Sequence, residues 1–207
     1  MSYLSLKNLS LERNDQRLFQ PLNLQCTYGQ AWQIIGPNGS GKSSLLKVLA
    51  GLSKPRRGFI QWQQQNNALS QAYLRQHSLY LSHDLALKGP LTVRENLTLF
   101  AALQSHTSIS LDACLQDFDL TLLAERTVAS LSAGQMRRVN LAKCGLSSAK
   151  IWLLDEPFTA LDQNQCAKLT ARLEHFINHQ GLVLFTSHQA LPFNGLTCHS
   201  CHLEAYS

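Results

Sequence analysis

The densest chemical signal in the chain is the run Gly36, Pro37, Asn38, Gly39, Ser40, Gly41, Lys42, Ser43. It fits G-x-x-x-x-G-K-[ST], with an apolar run before it and leucines at helical spacing after it. Glycines let the backbone curl until successive N–H groups point inward at phosphate oxygens. A helix opening at such a loop adds the partial positive charge of its N-terminus. Lys42 is spaced to reach β- and γ-phosphates, Ser43 to hold Mg²⁺ through its hydroxyl, and Ser44 to line the same site.

A second run supplies what such a loop lacks. "IWLLDEPF", Ile151 to Phe158, is an apolar strand ending in two acids. In a parallel sheet the C-terminal strand edge is where ligands bind. Asp155 is placed there to coordinate Mg²⁺ through water, and Glu156 to polarise an attacking water. The plainer reading of Glu156 is a surface charge in a turn. His188 closes another apolar strand, "LVLFTSH". It is either a polar cap or, beside a phosphate site, a γ-phosphate contact.

The remaining elements must position these groups. "LSLKNLSL" and "LNLQCTY" alternate as half-buried antiparallel strands do. "AWQII", "GFIQWQ" and "HSLYLS" read as further strands, and "KSSLLKVLAGL" as a helix stopped near Gly51. Thr92 and Glu95 have capping-box spacing. Asp162 is placed to cap a helix whose apolar face holds Cys166, Leu169, Leu173, Phe176 and Ile177. Residues 84–146 look mostly helical. Strands alternating with helices argue for an α/β fold with a parallel core, the helical block being an inserted subdomain of a single domain over residues 1–207.

The totals suit a soluble globular protein: 207 residues, 44% hydrophobic, 15% charged and a formal charge of +5. Basic residues form no block, so nucleic acid is not indicated. No export signal and no run of eighteen apolar residues is seen. The six cysteines are therefore expected as thiols in a reducing compartment.

In this order the segments resemble an ATP-binding cassette (ABC) ATPase subunit, with a P-loop NTPase core, an antiparallel β subdomain and an inserted α-helical subdomain. "LSAGQMRRV" resembles the family signature through Leu131, Ser132, Ala133, Gly134 and Gln135, with Ala133 where glycine is commonest. "TALD", ending at Asp162, resembles the loop that crosses the dimer interface. The resemblance implies ATP and Mg²⁺ as ligands and a head-to-tail dimer. Each ATP then lies between the P-loop of one copy and Ser132 and Gly134 of the other. Two departures are visible. His83 stands where the family has glutamine, and Arg13 where an aromatic stacks on adenine. Arg13 is either a stacking guanidinium or a solvated loop charge.

The short C-terminus, "YLSH", "IWLLDEPFTALD" and Arg13 are together most similar to the ATP-binding subunit of the cytochrome c maturation haem exporter. That similarity implies an inner-membrane permease, haem-handling partners and a place on the cytoplasmic membrane face. ATP hydrolysis would drive haem export or release of a haem-loaded chaperone. An exporter of another cargo, a soluble mechanochemical ATPase and a non-hydrolysing switch are the alternatives. "CHSCH", with Cys198, Cys201 and His202, matches C-x-x-C-H, the attachment pattern of covalent haem. Its alternation favours a plain edge strand over a haem or metal site. Replacing both cysteines by serine is accordingly expected to leave ATP hydrolysis and cytochrome c production intact, as enzyme assay and haem staining would show.

Overall fold

The computed structural model describes residues 4–13, 15–62, 67–103, 110–187 and 198–204. In chain order the elements are β1 (Leu4–Ser10), β2 (Glu12–Arg13), β3 (Gln16–Arg17), β4 (Leu22–Cys26), β5 (Gln30–Ile35), α1 (Lys42–Leu49), β6 (Arg57–Trp62), α2 (Asn67–His77), β7 (Ser78–Leu81), α3 (Val93–Ala102), α4 (Leu111–Asp117), α5 (Ala133–Gly145), β8 (Ile151–Leu154), α6 (Gln163–Asn178), β9 (Leu182–Thr186) and β10 (Cys198–His202).

Apolar continuity decides which strands pair where. β8 and β9 are buried at every residue, as strands covered on both faces must be. They lie inside a five-stranded sheet of order β10-β5-β9-β8-β7, parallel throughout. Successive side chains pack into opposite cores. Trp152, Leu154, Val183 and Phe185 face one core, with the packed face of α6 and the helices of 93–145. Ile151, Leu153, Leu182 and Leu184 face the other, with α1 and the antiparallel sheet. That second sheet, β4-β1-β6, is antiparallel, in keeping with the alternation in "LSLKNLSL". β2 and β3 pair as a small hairpin. The α/β architecture is the one expected from the strand and helix order.

Between residues 84 and 146 lie α3, α4, α5 and two short 3₁₀ turns. Thr92 and Glu95 form the reciprocal capping box their spacing predicts. α2 is a helix that periodicity does not announce. It is held by tertiary contacts: Ser70 Oγ accepts the Trp62 N–H at 2.9 Å, and Tyr73 stacks on Trp62 at 4.8 Å between centroids.

β10 answers the question raised by "CHSCH". It pairs parallel with β5 at the edge of the sheet. Cys198 and Cys201 are three residues apart, an odd separation, so in a strand they project to opposite faces. Cys201 packs in the core beside α1 and Cys198 against the opposite one. They cannot clasp one haem or one metal ion. No cluster of three or more metal-ligating residues occurs among the described residues.

All six cysteines are free thiols. Burial raises the pKa of Cys26 and Cys144, and pushes Cys114 to about 12 and Cys201 to about 11. In the unfolded chain they ionise near pH 8.5. Between about pH 8.5 and 11 the native state therefore holds more protons, and stability falls as pH rises. Each thiol contributes a slope of about 1.4 kcal/mol per pH unit. Lys143, with a pKa brought down to about 8 by burial, titrates in the opposite sense and offsets about one thiol. Urea denaturation from pH 8 to 11 should show the decline, and Cys144→Ala should flatten it by one thiol's share.

Candidate active site

The chemistry-bearing residues gather at the C-terminal edge of the parallel sheet. The loop of residues 36–41 joins β5 to α1, Asp155 and Glu156 follow β8, and His83 lies two residues beyond β7. A doubly covered parallel sheet offers its ligand crevice at this edge.

The loop is shaped by its glycines. Gly41 caps α1 with φ +94°, and a Cβ there would meet Leu18 and Phe19 at 3.0–3.1 Å. No side chain caps α1, and first-turn N–H groups have no intrahelical acceptor. Lys42 is buried, its Nζ donating to the carbonyls of Gly36 at 2.7 Å and Pro37 at 3.0 Å. The Ser40 hydroxyl is buried in the loop without a protein partner. An uncapped helix start, a held ammonium and an orphan hydroxyl suit an anion. Ser43 is exposed one residue beyond Lys42. Its hydroxyl and the Asp155 carboxylate are hard oxygen donors of the kind Mg²⁺ takes.

Asp155 is 4% exposed. Its backbone N–H donates to Leu81 O at 2.8 Å, tying β8 to the end of β7. Thr186, at the end of β9 and fully buried, makes two bonds at once. Its hydroxyl donates to Asp155 Oδ1 at 2.8 Å and accepts the Glu156 N–H at 2.8 Å. Glu156 has φ +50°, a left-handed conformation that costs a non-glycine residue about 1–3 kcal/mol. Its carboxylate faces His83, with Oε2 at 3.6 Å from Nδ1, and accepts from Thr159 Oγ1 at 3.4 Å. Arg137 of α5 is 5% exposed. Burial lowers its pKa, and the charges of Glu156 and Asp155 oppose that.

The residues that resemble the family signature open α5. Ser132 is its N-cap, accepting the Gln135 N–H at 3.2 Å while Gln135 Oε1 accepts the Ser132 N–H at 2.9 Å. The hydroxyl accepts in this cap, so its own proton stays available for donation. Leu131 is buried and Ala133 is exposed. A Cβ on Gly134 would lie 2.7 Å from the Ala160 carbonyl oxygen. Only glycine lets α5 seat on the 159–162 loop. Asp162 caps α6 through Gln165 N at 2.8 Å. α5 packs on α3, α4 and β7, whereas α1 packs on β8 and β9. Arg13, on β2, borders a cavity of about 310 Å³ that Ser44 and Lys47 also line. His188 lies outside the described residues.

Thr186 and Arg137 are site residues that motif and spacing do not announce. The first carried a faint signal, as a polar residue ending an apolar strand. The second sits in a helix whose neighbours across space cannot be read from spacing.

Known proteins show the same pattern. Residues 19–159 match the ABC transporter family model. A cytochrome c biogenesis ATP-binding export protein from Tatumella citrea is 42% identical over 91% of this chain and 90% of its own. Its counterpart from Haemophilus influenzae is 38% identical over 98% and 96%. Among solved structures, an ATP-binding protein of an ABC transporter from Pyrococcus furiosus superposes with a TM-score of 0.82, at 22% identity and 98% coverage of both chains. A dimeric ATP-binding cassette bound to ADP and phosphate gives 0.77, at 24% identity over 90% of this chain and 88% of that one. The chain belongs to the ABC transporter family and is an ATP-hydrolysing subunit of it.

Thr186→Val keeps the volume and removes both bonds at the Glu156 turn. It should cost about 1–3 kcal/mol of stability and sharply reduce ATP turnover, while Thr186→Ser should restore both. Thermal unfolding and steady-state phosphate release are the measurements.

Proposed function

We propose that this chain powers a membrane ABC complex for cytochrome c maturation, coupling ATP hydrolysis to haem export or to release of a haem-loaded chaperone. The observation that carries the hydrolytic part is the Glu156 turn, strained and pinned by Thr186 with His83 opposite. A surface acid in a plain turn needs no such support. The pathway rests on the names of relatives 38–42% identical over nearly the whole chain.

In this reading the loop amides of residues 36–44 and the Lys42 ammonium hold the triphosphate. Ser43 and Asp155 hold Mg²⁺, which neutralises charge on the phosphates when bound. Glu156 accepts a proton from water as its oxygen attacks the γ-phosphorus, and ADP leaves as the bond to its β-phosphate oxygen breaks. His83 orients that water or carboxylate. His188 is assigned to the γ-phosphate by its strand-end position alone. Arg13 lays its guanidinium on the adenine in the cavity shared with Ser44.

Ser132 and Gly134 serve the ATP of a second copy, with Ala133 and Gln135 completing the helix start and Leu131 anchoring it. The loop ending at Asp162 lies in that dimer interface. Two ATP molecules close the pair, and loss of the bridging phosphates opens it. The permease, haem-handling proteins and cytoplasmic membrane face follow from this assignment. No helix of the described residues is long and apolar enough to cross a membrane, so attachment is assigned to the permease. Residues 84–146 act as the helical subdomain, and 83–91 as the side facing the permease.

Glu156→Gln should lower turnover by about 10²–10⁴-fold while ATP binding persists. Tagged Glu156→Gln protein, purified with ATP from gently solubilised membranes, should bring down a polytopic permease and cytochrome c maturation proteins. A permease of another system would leave the ATPase standing and replace the cargo. Soluble partners alone would overturn the transport assignment, and full turnover would remove Glu156 from its role.

A further inference from the structure

Lys143 lies in the last turn of α5 and is only 8% exposed. Its Nζ donates to the Leu85 carbonyl at 3.2 Å and to Asn140 Oδ1 at 2.9 Å, and sits 5.8 Å from the centre of the Phe100 ring. None of these partners is a carboxylate. Taking an ammonium out of water is costly, and neutral acceptors offset that only in part. Its place near a helix C-terminus offsets a further small part. A methionine would fill the same space without a buried charge. Stability alone does not explain a lysine here.

What the ammonium holds is a loop. The Leu85 carbonyl precedes Ala86, whose φ is +48°. Left-handed backbone is unfavourable for a residue with a Cβ, and it persists only where surrounding contacts over-determine it. Downstream, Asn96 pins the same loop, accepting from Lys88 N at 2.8 Å and donating to Lys88 O at 3.0 Å. Upstream by two residues is His83, facing Glu156. Lys143 is thus the contact from α5 to a strained segment between the Asn96 anchor and His83.

We infer that Lys143 is a positioning residue: through the Leu85 carbonyl it sets the loop that presents His83 to Glu156, and ties that loop to the helix that begins at Ser132. The inference rests on the roles proposed above for His83, Glu156 and Ser132. If Ser132 engages a phosphate held by a second copy, any shift of α5 is passed along the helix to the first copy's own His83. The two sites of a closed pair are then linked by one side chain on each helix.

Lys143→Met and Lys143→Arg test this in the full-length protein. Amide hydrogen exchange reads the loop without reference to catalysis. In Lys143→Met the amides of residues 85–88 should exchange about tenfold faster or more, with the melting temperature unchanged or raised. ATP turnover, measured in membranes with the native partners, should fall about tenfold or more at a KM within about twofold of wild type. Lys143→Arg should restore protection and turnover together. Lys143→Gln is the second neutral variant if the methionine variant misfolds. Unchanged loop exchange in a folded neutral variant would overturn the tie. Faster exchange with full turnover would overturn the positioning role. Wild-type protein without ATPase activity would count against the proposed function instead, and the exchange measurement would still decide whether Lys143 holds the loop.

Discussion

The site depends on one hydroxyl. Thr186 bonds the Asp155 carboxylate and the Glu156 amide, each at 2.8 Å. The Glu156 turn carries about 1–3 kcal/mol of backbone strain. A hydrogen bond to a charged group returns about 1.5–3 kcal/mol and a neutral one about 1, so the two bonds are sufficient to hold the turn. Without them the Glu156 N–H would be left without this acceptor and the carboxylate would be released from the edge. Thr186 can play this part because it ends β9, which lies between β5 and β8. From that position it reaches the β8 edge, while β5 delivers the glycine-rich loop of residues 36–41 on its other side.

The sheet imposes the rest. Both faces are covered, so side chains along the strands are committed to packing, and chemistry is confined to the edge where strands end. "CHSCH" illustrates the constraint. Its residues are chemically capable, but they lie along β10 and not beyond it. Strand alternation sends Cys198 and Cys201 to different cores. The spacing that makes a haem clasp in an irregular segment makes two separate packing contacts in a strand. Asp155 and Glu156 are adjacent too, but they follow β8, where the chain is free to turn and bring both to the same edge.

What was legible in the sequence follows from what each element requires locally. A phosphate loop needs glycines at fixed offsets, and β8 and β9 need unbroken apolar runs, so both could be read directly. Caps are equally local, as Thr92, Ser132 and Asp162 show with bonds to residues three positions on. α2 was illegible because its support comes from Trp62, across a strand boundary. Thr186 was illegible as a site residue because its partners are about thirty positions away. Lys143 reads as an ordinary basic residue near a helix end until Leu85, fifty-eight positions earlier, is seen against it.

The same distinction explains the departure within the signature. Ala133 is exposed at the start of α5, so a methyl group there meets nothing that α5 requires for packing. Gly134 is different. The Ala160 carbonyl occupies the space a Cβ would need, at 2.7 Å. Ala160 itself sits at φ +63°, so the loop cannot retreat without disturbing a second unfavourable residue. One glycine of the signature is therefore fixed by packing within the chain, before any phosphate is considered. It locks the start of α5 to the loop that leads from Glu156 to Asp162. Lys143 fixes the other end of α5 to the loop that follows β7. A single helix thus touches both segments that frame the Glu156 carboxylate.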